Sequence, residues 1–115
     1  MKKIILINWV GGIKDFNYIK DLDSVYINWS LYLSYNNLKE FNYNKPINWG
    51  LYLYNNYLKE FNYNHPTNWS LYLGNNNLTE FNYNKPINWF LDLENNNLNI
   101  TKQDLKCKVK KHIYL

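Results

Sequence analysis

With 115 residues and a formal net charge of +4, the chain has room for one domain and only a modest basic excess. All 13 basic residues are Lys and none is Arg, a balance that serves solubility better than forked recognition of phosphates. The single cysteine, Cys107, excludes an intramolecular disulfide and points to a reducing compartment. Asn, Tyr, Ile and Lys abound and Ala is absent, the mark of an AT-rich genome, viral, parasitic or bacterial.

The chain opens on Met1, Lys2 and Lys3, followed by an apolar run over 4–7 that Asn8 interrupts. A secretory core needs about 7–15 apolar residues and a spanning helix about 20. The segment therefore reads as an N-terminal strand or cap, with no signal peptide or transmembrane segment, and the expected location is intracellular, in the cytoplasm (the host's if the chain is viral). Tryptophan then returns every 20 residues, at Trp9, Trp29, Trp49, Trp69 and Trp89. Units 27–46, 47–66 and 67–86 are close copies. A further unit starts at Ile87 and drifts after Leu98, while an earlier one from Ile7 keeps Ile13, Phe16 and Tyr18 as apolar positions. A fixed short period means one small unit stacked on copies of itself, with degenerate copies closing the ends. The expected division is a cap over 1–26, repeats over 27–98 beginning at 27, 47, 67 and 87, and a Lys-rich cap over 99–115, all in one domain spanning 1–115.

Within a unit, Trp29, Leu31 and Leu33 alternate with Ser30, Tyr32 and Ser34, which predicts a strand with the indole and the leucines inward. The rest of the unit holds Asn-Asn, Asn-Tyr-Asn and Lys-Pro, which favour turns over helix. Pro46, Pro66 and Pro86 lack an amide donor and belong outside the ladder, just before the strand. Strands joined by such short returns run parallel, about 4.8 Å apart, and every position becomes a column through the stack. The expected core columns are Trp29/49/69/89, Leu31/51/71/91 and Leu33/53/73/93, closed by Leu38/58/78/98 and Phe41/61/81. Asn36, Asn56, Asn76 and Asn96 fall between buried leucines, where an amide left unpaired costs about 1–3 kcal/mol per group. These side chains are expected to bond the turning backbone of their own and adjacent units.

Leu31-x-Leu33-x-x-Asn36-x-Leu38, repeated at 51–58, 71–78 and 91–98, resembles the LxLxxNxL segment of leucine-rich repeats. The unit looks like the short repeats of some bacterial effectors, with Pro46 at a matching place. It departs from them in having Asn28 where Leu is usual, with Trp29 taking that role one position later, and Phe41 in place of Leu. The recurrent Trp also resembles the tryptophan-repeat and leucine-rich-repeat gene families of insect poxviruses. The resemblance implies a mostly β repeat solenoid, a short arc with one parallel strand per repeat and irregular return segments. It also implies protein recognition through the concave strand face, without catalysis.

The partner-binding face expected on that basis comprises Ser30, Tyr32, Tyr52, Tyr54, Ser70, Tyr72, Phe90, Asp92 and Glu94. Tyrosine supplies rigid contact area with a polar tip, yet stacked tyrosines also stabilise a sheet by roughly 0.2–1 kcal/mol per pair. Both readings of the column stand. A rival class is an aromatic β-solenoid binding glycan or choline, since quaternary ammonium groups favour aromatic cages. A third is a redundant copy from an expanded repeat gene family. Glu40, Glu60 and Glu80 read as a solvated column, and His65 as a surface replacement for Lys45 and Lys85. Cys107 and His112 are too few ligands for a zinc site. Leu105, Cys107 and Val109 alternate with Lys106, Lys108 and Lys110, which predicts a terminal strand whose charges discourage edge pairing. Contact of Lys106, Lys108, Lys110 and Lys111 with nucleic acid or an acidic membrane is a lesser expectation. No catalytic residue, cofactor, metal site or small-molecule substrate is expected.

Overall fold

The computed structural model describes Ile27 and 29–115 in full, and before them the backbone of the strand residues Ile4–Leu6, Trp9–Val10 and Val25–Ile27. Asn28 and the apolar positions Ile13, Phe16 and Tyr18 lie outside the described residues. The strands in chain order are β1 (Ile4–Leu6), β2 (Trp9–Val10), β3 (Val25–Ile27), β4 (Leu31–Tyr32), β5 (Leu51–Tyr52), β6 (Leu71–Tyr72), β7 (Phe90–Asp92) and β8 (His112–Tyr114). β1 and β3 form a parallel pair, and the others form a parallel sheet in the order β2-β4-β5-β6-β7-β8. Helix among the described residues is confined to one 3-10 turn, Lys102–Asp104. The expected parallel, strand-based repetition is present: Leu31, Leu51, Leu71 and Leu91 lie opposite one another, as do Tyr32, Tyr52, Tyr72 and Asp92.

Between successive strands the chain bends rather than arcs. In the unit from Ile47 the bends fall at 48–49, 55–56, 59 and 65. Buried positions come in alternating pairs on successive sides, Leu51 with Leu53, Asn56 with Leu58, and Phe61 with Tyr63. A further inward column runs through Ile27, Ile47, Thr67 and Ile87, each joined to the next by a single parallel bridge. The core is thus walled on several sides by short straight segments, and no unit could bury these faces without a neighbour. Pro46, Pro66 and Pro86 are exposed and outside the ladder.

Two features of this core differ from the expectation. Trp29, Trp49, Trp69 and Trp89 are not inside it: Trp29 is 46% exposed and the other three are half-buried. The chain bends at 48–49 and at 68–69, which breaks the two-residue alternation that would carry the indole inward. The column of Ile27, Ile47, Thr67 and Ile87 fills the inward place instead, two residues ahead of each indole. The second difference is Tyr43, Tyr63 and Tyr83, which are buried beside the phenylalanine column.

The asparagines behave as their position demands. The Asn56 amide donates to Leu53 O (2.9 Å) and Leu33 O (3.1 Å) and accepts from the N–H groups of Asn36 and Leu38 (both 3.0 Å). Asn76 and Asn96 repeat the pattern, donating to Leu73 and Leu53 and to Leu93 and Leu73, and accepting from Leu58 and Leu78. One residue earlier the backbone enters the left-handed region at Tyr35, Asn55, Asn75 and Asn95, with φ between 55° and 60°. Asparagine tolerates that region, whereas a bulky side chain is strained there.

The end units are spaced differently. Trp9 pairs with Leu31 and Leu91 with Ile113, offsets of 22 residues rather than 20. The strict Trp period therefore conceals a slip, and Trp9 does not continue the column of Trp29. At the other end the extra length is taken up around the 3-10 turn, where Asp104 Oδ2 accepts from Thr101 N–H at 2.7 Å. The terminal strand expected through Leu105, Cys107 and Val109 is displaced. Val109 makes a single bridge to Ile87, and β8 follows at His112–Tyr114. Cys107 is buried, and burial raises its thiol pKa.

Tyr35 is 69% exposed, and beyond an edge-on contact with Tyr54 little packing holds it in its strained conformation. Tyr35→Asn, which matches the other units, is expected to raise stability by about 1 kcal/mol, read from the urea midpoint.

Candidate interaction face

The strand side of the stack carries two aromatic columns. Tyr32 stacks on Tyr52 with centroids 4.4 Å apart and planes 18° from parallel, and Tyr52 on Tyr72 at 4.6 Å and 15°. In-register parallel pairing sets this geometry: like residues sit one strand spacing apart, which suits offset-stacked rings. All three tyrosines are half-buried. Burial, reinforced by Tyr32 and Tyr72, pushes the Tyr52 hydroxyl pKa up to about 12. Tyr54 lies beyond, meeting Tyr35 edge-on at 5.3 Å.

The second column is the tryptophans. Trp29 and Trp49 are 5.2 Å apart and tilted, while Trp49–Trp69 and Trp69–Trp89 stack at 4.6 and 4.4 Å. Their backbones stay linked through the bend, Trp49 N–H donating to Trp29 O at 2.8 Å and Trp89 N–H to Trp69 O at 2.9 Å. Sequence reasoning missed this surface because alternation was carried through a bend that it does not survive.

Ser30, Gly50 and Ser70 lie between the two columns in sequence, and here the expected face needs correction. Ser30 and Ser70 are buried, at 1% and 0% exposure, and are not open to a partner. Their hydroxyls turn to the backbone: Ser30 Oγ accepts from Gly50 N–H and Ser70 Oγ from Phe90 N–H, both at 3.2 Å. A Cβ on Gly50 would stand 2.9 Å from the Tyr52 ring, so that ring closes over this position.

At the C-terminal side the columns change. Phe90 packs on Trp89 at 4.9 Å and meets Tyr114 edge-on at 6.1 Å. Asp92 takes the tyrosine position, and its Oδ1 accepts from Glu94 N–H at 2.9 Å. Phe90 and Asp92 are half-buried and Glu94 is exposed. Lys106, Lys108, Lys110 and Lys111 are all exposed, with Lys106 Nζ donating to Asn82 Oδ1 at 3.0 Å and Lys111 Nζ lying 5.2 Å from the Trp89 ring.

Elsewhere the chemistry is structural. Tyr63 and Tyr83 donate their hydroxyls to the carbonyls of Lys45 and His65. Burial raises both pKa values, that of Tyr83 to about 12. Glu40, Glu60 and Glu80 are exposed, and His65 Nε2 is 2.8 Å from Asn44 O. Among the described residues no three of His, Cys, Asp or Glu gather closely enough to hold a metal ion, and no helix is long and apolar enough to cross a membrane. No protein-family model, curated protein or solved structure matches the chain.

Trp49→Ala is expected to cost about 1–2 kcal/mol, the scale of lost ring pairs. Leu51→Ala should cost about 2–5 kcal/mol, the scale of a core cavity. Parallel denaturant titrations order the two, and a Trp49 cost equal to that of Leu51 would return the indole to the core. Stability should also fall at alkaline pH. Tyr52 and Tyr83 keep their protons to about pH 12 when folded, against 10.0 for an ordinary tyrosine. The unfolded chain therefore loses protons first as pH climbs, and the stabilisation present below about pH 10 is lost toward pH 12. Thermal melts should be flat in this respect up to about pH 10 and decline above it, with phenolate absorbance lagging that of free tyrosine.

Proposed function

We propose that the chain is a leucine-rich-repeat-like solenoid that binds a protein through its strand face and performs no catalysis. The observation that carries this reading is the stacked, half-exposed tyrosine column, Tyr32, Tyr52 and Tyr72, flanked by Tyr54 and ended by Asp92, with Phe90 and Glu94 in the columns on either side. Ring-on-ring contact restricts the side chains in advance, so a partner meets a surface with little rotamer freedom left to lose. Stacking also turns the ring faces toward each other and leaves edges and hydroxyls outward. That favours the hydrogen-bonding groups of a protein over a sugar or a choline, both of which need open ring faces. The bends within each unit and the inward Ile27, Ile47, Thr67 and Ile87 depart from the short repeats that the chain resembles. The reading places the protein inside a cell, in keeping with one free, buried cysteine.

Affinity capture from lysate with wild type and Tyr52→Ala in parallel tests the face. A specific partner should be retained by wild type and by Tyr52→Phe, and lost or weakened at least about tenfold with Tyr52→Ala, a change of roughly 1.4 kcal/mol. Equal retention by a folded Tyr52→Ala protein would remove the tyrosine column as the site. Tryptophan fluorescence should not respond to choline or to oligosaccharides, and a saturable response would favour the glycan or choline reading.

A further inference from the structure

The net charge of the chain is gathered at one end. Five of its 13 lysines but only one of its 9 acidic residues lie in 99–115, so that segment alone accounts for the formal charge of +4 and the rest is balanced. The one acidic residue there, Asp104, is turned to the N–H and hydroxyl of Thr101. Lys102, Lys106, Lys108, Lys110 and Lys111 are all exposed. The same segment carries β8, the last strand in the order of the sheet.

β8 presents a row of backbone groups in the geometry of a pairing edge. In the inner units the strand leucines donate across to the next unit: Leu51 N–H to Ser70 O at 2.9 Å, Leu53 N–H to Tyr72 O at 2.8 Å, and Leu93 N–H to Tyr114 O at 2.7 Å. Ile113 lies opposite Leu91 and so holds the same place as Leu51. Alternate residues of a strand bond to alternate sides. With Tyr114 O turned to Leu93, the Ile113 N–H and C=O face away from β7. The preceding corner is alike. Ile87 N–H donates to Lys108 O at 2.9 Å and Ile87 O accepts from Lys110 N–H at 3.1 Å, which leaves the Val109 N–H and C=O on the outer side. Leu105, Val109 and Ile113 are only partly buried against the core. This layer thus shows what each inner unit shows its successor, a backbone row beside an apolar row, with no strand beyond it among the described residues.

We propose that this edge takes up an extended segment of a partner protein in which acidic and apolar residues alternate, an inference independent of the strand-face reading. Backbone pairing at an open edge supplies affinity with little regard to sequence, and side chains supply the selection. Lys108 and Lys110 flank Val109 and are exposed where it is half-buried. Cross-strand neighbours stabilise a sheet when opposite in charge and destabilise it when alike. The β8 edge of a second copy would bring lysines against lysines, so the charges that exclude it admit a strand bearing carboxylates. Lys106 and Lys111 reach back along the stack, to Asn82 and Trp89, and the selecting charges are Lys108 and Lys110.

Nuclear magnetic resonance of the isotope-labelled full chain tests the edge. The probe is a synthetic peptide of alternating valine and glutamate, blocked at both ends. Saturable shifts at the amides of Val109 and Ile113 are expected, with slowed hydrogen exchange at both. The glutamine counterpart should bind at least about tenfold more weakly, as should a glutamate peptide N-methylated at alternate residues, which cannot complete the ladder. Lys108→Glu combined with Lys110→Glu changes only exposed side chains and should fold, lose the glutamate peptide and take up its lysine counterpart. Absence of saturation overturns the edge site. Equal binding of the N-methylated peptide, or shifts without slowed exchange, overturns strand pairing. Equal binding of the glutamine peptide, or retention of the glutamate peptide by the folded double variant, overturns the acidic partner. Binding of oligodeoxythymidylate or of phosphatidylserine vesicles in place of the peptide overturns it in favour of nucleic acid or a membrane. Concentration-dependent shifts at Val109 and Ile113 in the chain alone overturn it in favour of a second copy.

Discussion

One side-chain amide holds each turn of this stack together. After Leu53 the chain leaves the sheet and re-enters the core at Leu58, and a bend between two buried leucines strands carbonyls and N–H groups away from water. Asn56 meets both needs, donating to Leu53 O and Leu33 O and accepting from Leu38 N–H. Each amide thus ties its own unit to the one before, and the column repeats at Asn76 and Asn96. Each of these groups, buried without a partner, would cost about 1–3 kcal/mol, comparable with the roughly 1.5–3 kcal/mol a flanking leucine contributes. Because the amides fix where each strand ends, they also fix which residues face outward from it.

That column was legible in the sequence, since a polar residue recurring between leucines has few physical explanations. The leucines, phenylalanines and parallel pairing were legible for the same reason: their alternation survives in the folded chain. The indoles were not. Trp49 precedes Leu51 by two, so simple alternation sends it inward, but the backbone turns at 48–49 without a glycine or proline at the bend. The available signal was Ile47, Thr67 and Ile87, an apolar or β-branched residue directly after each proline. Tyr43, Tyr63 and Tyr83 carried a similar clue, standing two residues after each phenylalanine as Leu53 stands after Leu51. Ser30 and Ser70 could not be judged from the chain alone, because the groups their hydroxyls meet, Gly50 N–H and Phe90 N–H, belong to the next unit.

Stacking like on like has a further effect on the strand face. Copies of one unit present uniform rows, and a uniform row has no preferred position along its length for a partner to find. The departures at Phe90, Asp92 and Glu94 give the face a distinguishable end. They sit where the two aromatic columns meet the terminal strand, with Phe90 touching both Trp89 and Tyr114. On the proposed reading, the tyrosines supply area and this end supplies orientation.

The spacing of the units bears on how such a chain can change length. Leu31, Leu51, Leu71 and Leu91 succeed one another at 20 residues, while the first and last steps of the sheet take 22. Unequal recombination among the inner copies adds or removes a whole rung, and every column closes up in phase. The same exchange drawn from either outer step would carry two surplus residues into the middle, to be taken up between strands as they are at the ends. The inner steps are therefore interchangeable with one another in length, and the two outer steps are not.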